Sequence, residues 1–306
     1  MDTSRTPLVS ILTPSFDQAA WLPHNLRSVA CQTYPSIEHI VMDGGSTDGS
    51  LAVLDAEAAS RAVDGSDAHV ALRYTSEPDR GQSHAVNKAF AASHGEIIGW
   101  INSDDAYFDC RVIEDVVRTF QQHPEADVVY GHLAQVAEDG TIIWLNWVPR
   151  FSGRLLNIVN FIGQPVAFIR RSALSQPMLD ESYDFTMDYE LWLRLAREGR
   201  RFRRIGRITA VDRHQRQRKG VTMTDVLHAD LGRLAQTHGR GYPPGKRILS
   251  WGFYTWRRAA GALLIPKVPR ELAFTDVRTS KWALLRRQLF SWNKRWPDDY
   301  EAGSPA

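Results

Sequence analysis

Asn102-Ser103-Asp104-Asp105 follows the apolar run Ile97–Ile101 and places two adjacent carboxylates where a strand should end. A hard divalent cation, Mg2+ or Mn2+, takes oxygen ligands of this kind and would bridge them to a diphosphate. Acidic pairs after strands are also ordinary turn chemistry, so the pair alone does not decide. Two further loops bear on it: Thr13-Pro14-Ser15-Phe16-Asp17, and Asp43-Gly44-Gly45-Ser46-Thr47-Asp48-Gly49. Phe16 can stack on a nucleotide base or be a buried aromatic, and Asp43 can accept a base N–H or tie a turn. Gly44 and Gly45 allow backbone to approach a ligand closely. Arg80, Gln82, Asn87 and Lys88 can hold phosphates or simply cap and solvate a helix. Asp188 falls with Leu191, Trp192 and Leu195 on one helical face by i, i+3, i+4 and i+7 spacing. An inward carboxylate near a helix N-terminus, where the dipole favours its ionised form, suits a general base or an N-cap.

These residues need elements that bring them together. Short β-rich runs at Leu8–Leu12, Ile37–Met42, Val70–Thr75 and Glu96–Ile101 alternate with helical spacing at Trp21–Gln32, from Asp48 onward as N-cap, and at Gln82–Ser93. That alternation predicts a doubly wound, mostly parallel α/β sheet, whose strand C-termini form one ligand-binding edge. Past Asp105 the expected order is a helix at Arg111–Gln122, a strand at Val128–Tyr130 and a hairpin over Leu133–Trp147 turning at Asp139-Gly140. A strand at Ala167–Ile169 and a helix at Asp188–Glu198 follow. His214 comes after the run Ile208–Arg213, within a basic stretch from Arg200 to Lys219 that suits a diphosphate, anionic lipid or a solvated face.

Composition narrows the class. The 306 residues are 43% hydrophobic and 24% charged, with net charge +2, as expected of a globular chain. Cys31 and Cys110 suggest no disulfide framework and fit a reducing compartment. Neither a spanning apolar stretch nor a signal-peptide pattern is evident, which points to a cytoplasmic location. From Lys246 to Ala306 there are twelve Lys/Arg against five Asp/Glu, together with Trp251, Trp256, Trp282, Trp292 and Trp296. Such a tail suits the inner face of a cytoplasmic membrane, or a helical appendage packing its tryptophans on the core. The expected division is a catalytic domain over 1–220 and a basic, Trp-rich, mainly helical extension over 221–306.

The three strand-end loops together resemble the family 2 glycosyltransferases of the GT-A fold, which pair a Rossmann-like nucleotide half with an acceptor half. The likeness continues through Glu77–Lys88, through Gly163-Gln164-Pro165 with Phe168–Arg171, and through Met187–Leu195, covering about residues 8–215. Gly44 stands where many members have a second Asp, and Met187 where many have Glu. The resemblance implies transfer of a sugar from a nucleotide-diphosphate donor, with a UDP-sugar favoured, to an acceptor hydroxyl. It also implies inversion, metal dependence and work in surface-polysaccharide biosynthesis. By the same resemblance Pro14, Ser15, Phe16, Asp43, Gly44, Arg80, Gln82, Asn87, Lys88, Ser103 and Asp104 would hold the nucleotide sugar. Asp105 and His214 would serve the metal, Gln164 and Trp192 would face the acceptor, and Asp188 would be the base. A lipid-linked or saccharide acceptor is expected, and no nucleic acid. The alternatives are a nucleotide- or membrane-binding module without turnover, and a sugar nucleotidyltransferase. The latter usually carries a Gly-rich loop after the first strand, where Thr13-Pro14-Ser15-Phe16 stands.

Overall fold

The computed structural model describes residues 6–63, 70–215, 224–238, 246–269, 272 and 280–290. Its first half is the expected alternation: β1 (Val9–Ser15), α1 (Leu22–Ala30), β2 (Ile37–Asp43), α2 (Ser50–Val63), β3 (Val70–Ser76), α3 (Gln82–Ala92) and β4 (Ile97–Trp100). These strands lie in the order β3-β2-β1-β4, all parallel. Both β1 and β2 are buried at every residue, the pattern of strands covered on two faces, and their buried polar residues pair with each other: Ser10 Oγ donates to Glu38 Oε1 at 2.5 Å, and Thr13 Oγ1 lies 3.0 Å from His39 Nε2. Successive residues feed two cores. Val9, Ile11 and Ile97 pack with Val29 of α1, whereas Leu12, Ile40 and Ile98 pack with Val86 and Phe90 of α3.

The second half extends the same sheet. β5 (Ala106–Tyr107), α4 (Val112–Gln122), β6 (Val128–Val136), β7 (Ile142–Asn146), α5 (Gly153–Leu156), β8 (Ala167–Arg170), α6 (Met187–Arg197) and β9 (Phe202–Arg213) follow in the chain. The sheet has nine strands and continues from β4 as β8-β6-β9-β5, with β7 pairing to β6. β8 runs antiparallel to both β4 and β6, while β6 and β9 are parallel. α4 buries Val112, Ile113, Val116, Val117 and Phe120, one stripe at helical spacing. Strand β5 was not foreseen in the sequence, because two residues are too few to carry a period.

The cysteines require a correction. Cys31 at the C-cap of α1 and Cys110 before α4 are joined in a disulfide, and no free cysteine remains among the described residues. Sequence separation of 79 residues hid the pairing. The loop before α4 folds back on the end of α1, where Thr33 N donates to Cys110 O at 2.7 Å and Gln32 Nε2 to Asp109 O at 2.8 Å.

Beyond β9 come α7 (Thr224–Thr237), α8 (Lys246–Ala260), a 3-10 segment (Gly261–Lys267) and α9 (Lys281–Phe290). They are not a detached tail. Leu234 of α7 is buried with Leu191 and Leu195 of α6, and Phe253 of α8 packs against the same cluster. Gln288 of α9 is clamped to β7, donating from Nε2 to Leu145 O at 2.8 Å and accepting from Leu145 N at 3.1 Å. Trp256 meets Trp147 edge-on at 5.1 Å. Trp292, Trp296, Arg216, Arg218, Lys219 and the expected division at 220/221 lie outside the described residues.

Candidate active site

Register puts the loops side by side. Ser15 is level with Asp43 across β1 and β2, and Leu12 with Trp100 across β1 and β4, so three strands release their chains at one sheet edge. The first two loops are laced together. Asp17 N donates to Ser46 Oγ at 2.8 Å, Thr47 N to Asp17 Oδ1 at 2.9 Å, and Ala19 N to Asp48 Oδ2 at 2.8 Å. Asp43 lies beneath this lacing, buried, and its carboxylate accepts from Gly45 N, Ser46 N, Ser46 Oγ and Ser76 Oγ at 2.5–3.1 Å. Here the turn-tying role expressed in the sequence alternatives wins: Asp43 shapes the loop and is not among the residues lining the cleft.

Above it Phe16 is 60% exposed on the cleft wall, so it is no core aromatic. A Cβ on Gly44 would come within 2.9 Å of Asp79 Oδ2 and 3.1 Å of Phe16 Cδ2. A side chain at 44 would therefore have to displace the Asp79 carboxylate and the Phe16 ring from their positions. Gly45, at φ 87°, completes the turn in the left-handed region. Asp79 is the residue that sequence reasoning missed. It lines the cleft beside Phe16, with Oδ1 accepting from Gly81 N at 2.8 Å. Its signal was present inside the quoted segment Glu77–Lys88, but acidic residues next to Pro and Gly read as turn chemistry.

Pro14, Ser15, Gln82, Ser103, Asp104 and Asp105 line the same cleft, whose volume is about 1120 Å³. Gln82 Nε2 donates to Asn102 Oδ1 at 2.6 Å, bracing the acidic loop from α3. Asp105 is buried and accepts from Arg213 N at 3.2 Å, and Asp104 Oδ2 accepts from Gln215 Nε2 at 3.1 Å. Arg213 is a second residue the sequence did not single out. Its buried guanidinium donates to the carbonyls of Asp104, Ala137 and Glu138 and to His24 Nδ1, and lies over Trp21 at 5.0 Å. It thereby fixes the end of β9 to the acidic loop.

The opposite wall carries Asp188, at the start of α6. Asn160 Nδ2 donates to its Oδ2 at 3.0 Å and Tyr189 N to its Oδ1 at 2.7 Å. Crowding by protein outweighs these bonds and the helix N-terminus, raising the pKa to about 6. The sequence expectation that the dipole would keep it readily ionised is corrected on that point. Asp230 of α7 steadies this helix entry, accepting from Phe185 N and Thr186 N at 2.8 and 2.9 Å, a cap supplied from 44 residues downstream of Thr186. Ile158, Val159, Leu227, Leu231, Ser250 and Tyr254 complete the wall. Asn160 Oδ1, Gln164 Oε1 and Ser15 Oγ are buried without a hydrogen-bond partner among the described residues, and all three residues line the cleft. In the cleft these oxygens are available to water or to a ligand with donors.

Several expected ligands are engaged elsewhere. Arg80 pairs with Glu181 at 2.7 Å and Lys88 with Glu77 at 3.0 Å, while Asn87 is bound to Leu179 and Glu181. None of the three lines the cleft, and Asn87 is held on the loop before α6. Trp192 sits one turn deeper than Asp188, fully buried, donating to Ile162 O at 3.1 Å, so it is a core residue. His214 leaves β9 beside Asp212, its Nε2 3.9 Å from Asp212 Oδ2, and does not line the cleft. Among the described residues no group of three or more His, Cys, Asp or Glu is close enough to enclose a metal. The cleft does present the oxygens of Asp104, Asp105 and Asp212. Such a set fits a hard cation that takes one or two carboxylates and completes its shell with diphosphate oxygens and water.

Comparison with known proteins places the family and the fold. Residues 10–181 match the sequence model of the family described as glycosyl transferase family 2. Over 207 residues the chain is 28% identical to a hyaluronan synthase of Pasteurella multocida, a match covering 67% of this chain and 20% of that protein. An O-antigen biosynthesis protein of Myxococcus xanthus is 29% identical over 195 residues, 63% of this chain and 15% of that one. The chain therefore spans a fifth or less of these curated relatives. Among solved structures, a mannosyltransferase from Pyrobaculum calidifontis in complex with GDP-Man and Mn2+ superposes with TM-score 0.59 at 18% identity, over 86% of this chain and 75% of that one. S. aureus TarS in complex with UDP-GlcNAc superposes with TM-score 0.54 at 16% identity, over 93% and 73%. The fold is theirs.

Proposed function

The chain belongs to glycosyl transferase family 2, and from that premise we propose that it moves a sugar from a nucleotide diphosphate to an acceptor hydroxyl in surface-polysaccharide synthesis. One observation carries the reading. A single cleft has an exposed aromatic, close-approach glycine and acidic pair on one wall, and on the other a carboxylate with a pKa of about 6. Phe16 stacks on the base, Asp79 takes a base N–H or a ribose hydroxyl, and Ser103 and Asp104 hold the ribose side. A divalent cation held by Asp105, with Asp104, would neutralise charge on the departing diphosphate. Asp188 accepts the proton of the acceptor hydroxyl as its oxygen attacks the anomeric carbon. The bond from that carbon to the diphosphate oxygen breaks, and the electron pair leaves with the diphosphate. A single displacement of this kind inverts the anomeric centre and needs no covalent nucleophile.

GDP-Man and UDP-GlcNAc in the structural neighbours support a nucleotide-sugar donor here, and Mn2+ in one supports the cation. The cationic, Trp-rich extension supports a peripheral position at a membrane face and a lipid-linked or saccharide acceptor. The test is thermal stabilisation by a panel of UDP-, GDP- and dTDP-sugars with Mn2+, followed by nucleoside diphosphate release with and without chelator. Stabilisation by one donor, and release that chelator suppresses, support the proposal. Failure of every donor to stabilise the chain contradicts it.

A further inference from the structure

α8 has two faces with different tasks. Ser250 and Tyr254 line the cleft, Phe253 packs on the core that includes α6, and Arg257 is buried, so positions 250, 253, 254 and 257 define an inner face. On the opposite face Ile248 is 75% exposed, Leu249 55% and Trp251 71%. Single exposed apolar residues need no explanation, but three within four residues on one turn form a patch of the kind that binds something.

Charge chooses the partner. Lys246-Arg247 immediately precede the patch, and from Lys246 to Ala306 Lys/Arg outnumber Asp/Glu twelve to five, the buried Arg257 included. A cationic helix with Trp, Ile and Leu on one side fits the interface of an anionic bilayer, its apolar side chains at the acyl boundary and its cations at the headgroups. None of the helices among the described residues is long and apolar enough to cross a membrane, so α8 would lie on the surface. The inner face then matters. Ile158, Val159, Leu227 and Leu231 line the cleft wall that also holds Asp188. Four aliphatic side chains on that wall offer contact to the apolar part of an amphiphile.

We propose that the outer face of α8, through Ile248, Leu249 and Trp251, docks on an anionic phospholipid surface, and that the acceptor is an amphiphile of that bilayer. Its hydroxyl-bearing head reaches Asp188 along the inner face of the same helix. This deepens the transfer reading above and rests on it.

The experiment uses the full chain and the variant Ile248→Ser/Leu249→Ser/Trp251→Ser, whose three sites are exposed and outside the cleft. Both are sedimented with vesicles of phosphatidylglycerol and phosphatidylcholine, and with phosphatidylcholine alone. Wild type should sediment with the anionic vesicles, less at 1 M than at 0.1 M salt as the Debye length falls from ~10 to ~3 Å. The variant's partitioning should drop about tenfold or more, while stabilisation by the donor panel stays unchanged. A membrane-lipid extract from bacteria should stimulate nucleoside diphosphate release more than the aqueous saccharide fraction does. Equal sedimentation of variant and wild type overturns the docking face, as does a wild-type oligomer that the variant dissociates. Stimulation by the aqueous fraction alone overturns the amphiphilic acceptor. Loss of donor stabilisation in both proteins, with vesicle binding intact, sinks the transfer reading and leaves the docking face standing.

Discussion

The two walls of the cleft are built on different principles. The wall of Phe16, Gly44 and Asp79 comes from loops that leave adjacent parallel strands, tied by hydrogen bonds within a loop, such as Asp43 to Ser46, and between neighbouring loops, such as Asp17 to Thr47. The wall of Asp188 is assembled from α6, the segment after α5 that carries Asn160, and two helices that arrive after residue 223. It is held mainly by apolar packing and by one long-range cap, Asp230 on the entry to α6. A nucleotide presents the same groups in any donor of this kind, which rewards a rigid hydrogen-bonded cradle. An acceptor varies, and a wall of side chains on separate helices can vary with it at little cost to the sheet.

Exchanging one atom of Asp188 should sharpen the comparison most. Asp188→Asn should lower turnover by roughly 10²- to 10⁴-fold, the usual contribution of a placed base. Donor affinity, read by titration calorimetry, should stay unchanged. Because its folded pKa is about 6 against 3.8, stability is lost as pH rises between those values. The Asn variant should therefore melt higher than wild type at neutral pH and equally below pH 3.8.

Next in size is Asp105→Ala, on the donor wall. Turnover should fall by about 10²- to 10³-fold, the scale for losing charge stabilisation of a leaving group. Here, in contrast to Asp188→Asn, Mn2+ should no longer strengthen donor binding. A smaller effect is expected for Phe16→Ala, with donor Kd raised about tenfold by loss of stacking and kcat nearly unchanged. Smallest is Asp230→Ala. Removal of a helix-entry cap costs about 1 kcal/mol of stability by chemical denaturation, and it should change acceptor-dependent turnover without changing donor Kd. If donor Kd shifts equally in the Asp230 and Phe16 variants, the division between walls fails.

The same division explains what could be read from sequence. The parallel half was legible because both faces of β1 and β2 are buried, leaving apolar runs that stop at Pro14, Asp43 and Asn102. Asp104, Asp105, Gly44 and Phe16, which line the cleft, could be nominated because each lies in a loop that closes such a run. Asp43 was left with two roles because a carboxylate after a strand looks identical whether it faces a ligand or its own loop. Only the four bonds it accepts distinguish the two. Asn87 and Lys88 share helix α3 with Gln82, yet lie one to two turns on, facing Leu179 and Glu77. Nothing local marks Asp230, Tyr254 or Arg213 as part of a site. The partners of Asp230 and Arg213 lie 44 or more residues away along the chain, and only packing brings them together.

The central claim is that Asp188 removes the acceptor's proton across the cleft from a donor held by the other wall. Its most direct test is the pH dependence of nucleoside diphosphate release at saturating donor, for wild type and Asp188→Asn. A base must be ionised, so wild-type release should rise with pH through about 6 and then level off. The Asn variant should be slow and flat over the same range. A variant that keeps the wild-type rise, or a wild-type rate that climbs as pH falls, would contradict the account.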